Sequence, residues 1–118
     1  MSDIQRFARP GVTRARAVVH DGRVYTVATS PVKSSSMAEQ ARHAMKQLEL
    51  HLVEAGSSKS RLLTVTVYLT DMARKAEMNR AWDAWIDPEN PPQRACIGAT
   101  LEGEDLIELV AVAALLDD

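Results

Sequence analysis

Residues 62–69 read LLTVTVYL, and the way this run alternates decides what the rest of the chain has to build. Leu63, Val65, Val67 and Leu69 fall on one side, Leu62, Thr64, Thr66 and Tyr68 on the other, and the β-branched content suits a pleated strand. Neither side is charged, so the strand belongs in the middle of a sheet. Outward from it the period changes. Upstream, beyond a polar SSKS link, Ser36 followed by Glu39 matches a capping box. Ala41, Ala44, Met45, Leu48, Leu52 and Ala55 then recur at steps of three and four until Gly56, which reads as an amphipathic helix with a glycine stop. Downstream, Asp71 suits the cap of a second helix in which Met78, Ala81, Trp82 and Trp85 share a face. The prolines between 88 and 92 end it.

Further out lie four more strands. The segment AVV-HDGR-VYTVA predicts a hairpin pairing 17–19 with 24–28 around a tight turn. PPQRACIGA, residues 91–99, reads as a strand entered from a rigid turn, with Arg94, Cys96 and Gly98 on one face and Ala95, Ile97 and Ala99 on the other. The last strand spans about 106–115, with Ile107, Leu109, Ala111 and Ala113 opposed to Glu108, Val110, Val112 and Ala114. Residues 1–14 mix charge, Pro and Gly without a period and read as an irregular arm. The order ββαβαββ predicts an α+β two-layer sandwich, one sheet covered on one face by two helices. Two helices of this size leave the other face bare, and a bare apolar face of that extent predicts a homo-oligomer.

A chain of 118 residues with a net charge of −2 fits a single domain, 1–118, and carries no block of one sign for a nucleic-acid partner. Its one cysteine precludes an internal disulfide framework and fits a reducing compartment. No run approaches a membrane span and the first twenty residues lack a signal-peptide core, so the expectation is a soluble, cytoplasmic protein.

Three residues stand out chemically, because each is polar or reactive in an otherwise apolar strand. Arg94 cannot shed its charge, so it clamps a carboxylate with its planar fork, is tied in a structural ion pair, Glu108 being one candidate partner, or snorkels from a sheet edge. Glu108, flanked by Ile107 and Leu109, is either a proton-moving group or such a partner. If the last two strands formed a simple hairpin, Glu108 and Arg94 would share a face. If another strand intervenes, they would meet across a subunit boundary. Cys96 has no histidine near it in sequence and reads as a small filler whose backbone is open to a ligand. His43 and His51, eight apart, are badly spaced for a shared metal, and no phosphate loop, nucleophile elbow or CxxC occurs. The two tryptophans read as core packing.

The runs GSSKSRLLTVTVYLTDM, MNRAWDAW, PPQRACIGA and IELVAVAAL together resemble the Rid proteins (YjgF-like), the reactive intermediate or imine deaminases, over about residues 15–115. The resemblance implies a chorismate-mutase-like fold, with the last strand between the first hairpin and the Leu62 strand. It also implies a homotrimer whose sheets pack inward as a barrel with clefts between subunits. It implies that Arg94 holds a substrate carboxylate, that Cys96 lines the pocket and that Glu108 positions a water. It implies that Ala28 lies in the pocket too, Val27-Ala28 standing where many relatives carry Ser-Gly. The implied reaction is hydrolysis of 2-imino acids, formed from enamines, to 2-keto acids and ammonia, with no metal or cofactor. The alternatives are a non-catalytic trimer that binds small carboxylates and, weakest given the charge, an endoribonuclease.

Overall fold

The computed structural model describes residues 3–117. Eight regular elements follow one another as β1 (Gln5–Phe7), β2 (Ala17–His20), β3 (Arg23–Thr29), α1 (Met37–Glu54), β4 (Leu62–Leu69), α2 (Lys75–Trp85), β5 (Gln93–Gly98) and β6 (Ile107–Ala114), with a short 3₁₀ turn before β4 and another before α2. The strands form one mixed sheet in the order β1-β2-β3-β6-β4-β5. Only β4 and β5 are parallel, joined by the α2 crossover. The expected α+β sandwich is present, and β6 does lie between β3 and β4.

Local chemistry accounts for the boundaries. Asp21 and Gly22 close the β2–β3 hairpin with φ of 51° and 76°, the doubly positive geometry of a type I′ turn that matches strand twist. Helix α1 starts where Ser36 Oγ accepts the Glu39 N–H at 3.2 Å. It ends at Gly56, φ 91°, where the Ser57 N–H reaches the Leu52 carbonyl and the Gly56 N–H the Val53 carbonyl. That bond pair is a Schellman motif, and it needs the left-handed residue that glycine supplies. Asp71 does not cap α2 itself. Its carboxylate accepts from the Ala73 N–H at 3.0 Å and opens the 3₁₀ turn Met72–Arg74 that leads into the helix.

The core lies between the helices and one face of the sheet. Val24, Val65, Val67, Leu69, Ile107, Leu109 and Ala113 from the strands meet Ala41, Ala44, Met45, Leu48 and Leu52 of α1 and Met78 and Trp82 of α2, all buried. The alternation read for β6 holds along its whole length.

Two expectations need correction. The arm is not irregular throughout, because Gln5–Phe7 pairs antiparallel with β2. Three residues are too few to show a period, and what holds them is the free edge of β2 together with Phe7 packing on the core. Residues 1 and 2 lie outside the described residues. In β4 the register shifts between Leu62 and Thr64: Leu62 is opposite Ala113 and Thr64 opposite Val112. Leu63 is thus the extra residue of a bulge. It is exposed, and Leu62 takes the buried place the alternation assigned to Leu63.

Candidate functional site

Arg94 lies near the start of β5, opposite Val65 of β4 and therefore on the helix-covered face. β5 is the sheet's edge strand, so the side chain is half-buried rather than sealed in. Neutral groups of α2 hold it. One terminal nitrogen donates to Asn79 Oδ1 at 2.9 Å, the other approaches Met78 Sδ at 3.7 Å, and the guanidinium carbon lies 5.1 Å from the Trp82 ring centre. Asn79, Met78 and Trp82 occupy one face of α2 at steps of three and four, which is why a single helix can grip the fork from several sides.

The sequence left open a clamp or a structural ion pair with Glu108 or another neighbour. Among the described residues the groups against Arg94 are an amide, a thioether and an indole, and no carboxylate. The guanidinium is held in place, yet its charge is not cancelled. Of its five N–H donors, Asn79 and Met78 take one each, which leaves three for something else. Cys96, two residues on, is half-buried on the same face, a free thiol packed against the edge of the core.

Glu108 is elsewhere. It is opposite Thr29 of β3 and Tyr68 of β4, on the face the helices do not cover. Strand β4 separates β6 from β5, so the simple-hairpin arrangement is absent. Within one chain Glu108 and Arg94 are two strands, roughly 10 Å, apart across the sheet and point to opposite sides of it. Ile107 and Leu109 point away from Glu108 into the core. Ala28 is buried next to Leu109 and lines a hollow of about 250 Å³ with Lys33, Gln47 and His51. Of the four anticipated residues only Arg94 and Cys96 lie together, at the sheet edge; Ala28, opposite Leu109, faces the helix side, and Glu108, one residue before Leu109 on β6, faces the bare side, because neighbouring residues of a strand point to opposite faces.

His51 does not face a metal site. It is buried, with Nδ1 at 3.2 Å from Thr26 Oγ1 and Nε2 at 3.0 Å from the Gln47 amide nitrogen. Thr26 gives its own proton to the Arg16 carbonyl, so the network is satisfied by a neutral ring protonated on Nδ1. Burial lowers its pKa, the Val27 carbonyl opposing, with Arg16 lowering it further and Glu54 raising it. The partners of Arg94 on α2 went unread in the sequence. Asn79 has no signature there. Gln40 was missed also: fully buried, it donates to the Ser34 and Glu104 carbonyls and accepts the Leu106 N–H, fixing the loop that delivers β6.

Residues 2–115 match the family described as Endoribonuclease L-PSP. The chain belongs to that family. A RutC family protein of Haemophilus ducreyi is 36% identical over 103 residues, which span 86% of this chain and 88% of that one. The RutC family protein YoaB of Escherichia coli is 31% identical over 99 residues, 83% of this chain and 87% of that one. A YjgF-family crystal structure from Neisseria meningitidis superposes with a TM-score of 0.90 at 33% identity and 98% coverage of both chains. The resemblance to Rid/YjgF proteins is thereby borne out, as is the fold it implied. For this member of the L-PSP family, no helix among the described residues is long and apolar enough to cross a membrane.

Proposed function

We propose that this L-PSP family member hydrolyses reactive 2-imino acids, in equilibrium with their enamines, to 2-keto acids and ammonium at clefts between the subunits of a homotrimer. One observation carries the reading: a half-buried guanidinium is oriented by neutral groups, with its charge uncancelled and three N–H donors free. A small carboxylate completes such a fork in bidentate fashion. The bare face of the sheet, where Tyr25, Val27, Ile97 and Val110 are exposed, supports assembly of copies.

In the proposed reaction Arg94 holds the substrate carboxylate and Cys96 lines the pocket. Glu108 takes a proton from a water as its oxygen attacks the iminium carbon. Glu108 then hands that proton to the nitrogen of the resulting carbinolamine, the carbon–nitrogen bond breaks and the hydroxyl proton leaves with the ammonia, so that C=NH₂⁺ and H₂O become C=O and NH₄⁺. An iminium is already electrophilic, and holding it beside one oriented water is the main requirement. Because Arg94 and Glu108 face opposite sides of one chain, we place the Arg94–Cys96 pair of one subunit against Glu108 of the next. Ala28, its methyl buried on the helix side, contributes at most its backbone there.

The test is keto-acid release from 2-aminoacrylate or 2-iminobutyrate generated in situ by a dehydratase. The wild type should exceed the uncatalysed rate and Arg94→Ala should abolish the excess. Mixed assemblies of Arg94→Ala and Glu108→Gln subunits should recover part of the activity that neither shows alone. No excess rate from the wild type ends the reading. The separation of Glu108 from Arg94 favours one alternative, a non-catalytic trimer that binds small carboxylates, for which 2-keto acids would bind without any turnover of the imines.

A further inference from the structure

On the outer side of the helix layer, α1, α2 and the turn before β4 border a groove of about 490 Å³ that neither Arg94 nor the groups holding it line. Its walls are Arg42, Lys46 and Glu49 of α1, Ala81, Ala84 and Trp85 of α2, and Lys59. That volume is within the range of small-molecule sites. Three cations and one carboxylate line it, and the carboxylate is engaged, since Glu49 accepts the Trp85 indole N–H at 2.9 Å. Lys59 donates to the Trp85 carbonyl and its ammonium lies 5.5 Å from the indole centre. The ring is thus fixed by its edge and from above, a rigid aromatic wall rather than a loose surface side chain.

Arg42 and Lys46 are left over. They sit one helical turn apart and exposed on α1, and among the described residues neither has an ion-pair or hydrogen-bond partner. Like charges at that spacing repel, and of the two carboxylates within a turn of them on α1, Glu49 is taken up by Trp85 while Glu39 makes no ion pair with Arg42 among the described residues. Opposite them, Ala81 and Ala84 are small where longer side chains would fill the groove. Two unpartnered cations at the rim, a cleared floor and a fixed indole define the complement of one ligand type.

We propose that this groove binds a small anion carried on a flat aromatic ring, the carboxylate or phosphate between Arg42 and Lys46 and the ring against Trp85, Ala81 and Ala84. The site is separate from the Arg94 cleft and does not rest on the reading of that cleft.

The experiment follows the Trp85 indole N–H signal of the full chain by nitrogen–proton NMR, titrating benzoate, phenyl phosphate, inorganic phosphate and a short single-stranded RNA. Benzoate or phenyl phosphate should shift the signal saturably, and the stronger of the two identifies the head group. The shift should persist in Arg94→Ala, which separates this site from the cleft. The double variant Arg42→Ala, Lys46→Ala should weaken binding at least about tenfold, each lost charge-assisted bond being worth roughly a factor of ten, with imine hydrolysis unchanged. Four results would overturn the proposal: no shift up to about 10 mM, a shift unaffected by the double variant, inorganic phosphate binding as tightly as phenyl phosphate, or RNA binding more tightly than either aromatic anion.

Discussion

The two faces of the sheet are made by the same strands and end in opposite states. On the helix side Val24, Val65, Val67, Leu69, Ile107 and Leu109 are sealed, each 0% exposed. On the other side Tyr25, Val27, Ile97 and Val110 keep 36–45% of their surface. A single residue step along a strand moves a side chain from one state to the other. One face is therefore finished by the chain itself, whereas the other is left open, the surface on which we propose that copies assemble. The two candidate chemical groups divide the same way, Arg94 on the covered face at its open edge and Glu108 on the bare face.

The sharpest way to break this comparison is to place the same charge on adjacent residues of β6. Leu109→Asp should prevent folding, since a buried carboxylate without a partner outweighs the stability of a small domain, and circular dichroism would show it. Val110→Asp should leave the monomer folded within about 1 kcal/mol in urea melts while dissociating the assembly in sedimentation velocity. Equal effects from the two would erase the distinction between the faces. Next in size, Asn79→Ala strands a half-buried donor and frees the fork, so the KM for 2-imino acids should rise about tenfold, as expected for loss of a hydrogen bond to a charged group. The kcat should change less, and Asn79→Asp, by pairing with Arg94, should abolish 2-keto acid binding.

The smallest expected effect concerns the covered face alone. His51 has its pKa lowered by burial, so the unfolded chain binds a proton that the folded chain refuses. Its contribution to stability is intact above the ordinary value of 6.5 and is lost as the pH falls from there through the folded value. Glu54 and Asp87, lowered by hydrogen bonds from Arg16 and from Asn90, act in the same direction at lower pH, below the ordinary values of 4.5 and 3.8. Urea melts should therefore show stability falling as the pH drops below 6.5, and His51→Gln should flatten that segment. A slope unchanged in the variant would remove His51 as its cause.

Much of this was legible in the chain because periods of 2 and 3.6 write themselves into apolar spacing. Helix α1 followed from apolar steps of three and four, the β2–β3 hairpin from the turn signal HDGR, and the two faces of β6 and the bare second face from alternation. The place of β6 beside β4 came with the family resemblance, not from spacing. What stayed hidden has physical reasons. β1 is too short to show a period, and the bulge at Leu63 is a register event set by the partner strand. Asn79 matters through a contact with a residue fifteen positions away, and nothing local to either one announces it. Gln40 was concealed in the same way, because a glutamine on an apolar helix face looks like an interruption until the carbonyls of Ser34 and Glu104 arrive to meet it.

The most direct measurement is a crystal of the assembled protein soaked with pyruvate. We predict that its carboxylate sits on the free N–H edge of Arg94, with Asn79 and Trp82 unmoved and the Glu108 carboxyl of the partner subunit facing the keto carbon. Pyruvate absent from Arg94 at saturating concentration, or bound there with every Glu108 carboxyl remote from the keto carbon, would contradict it.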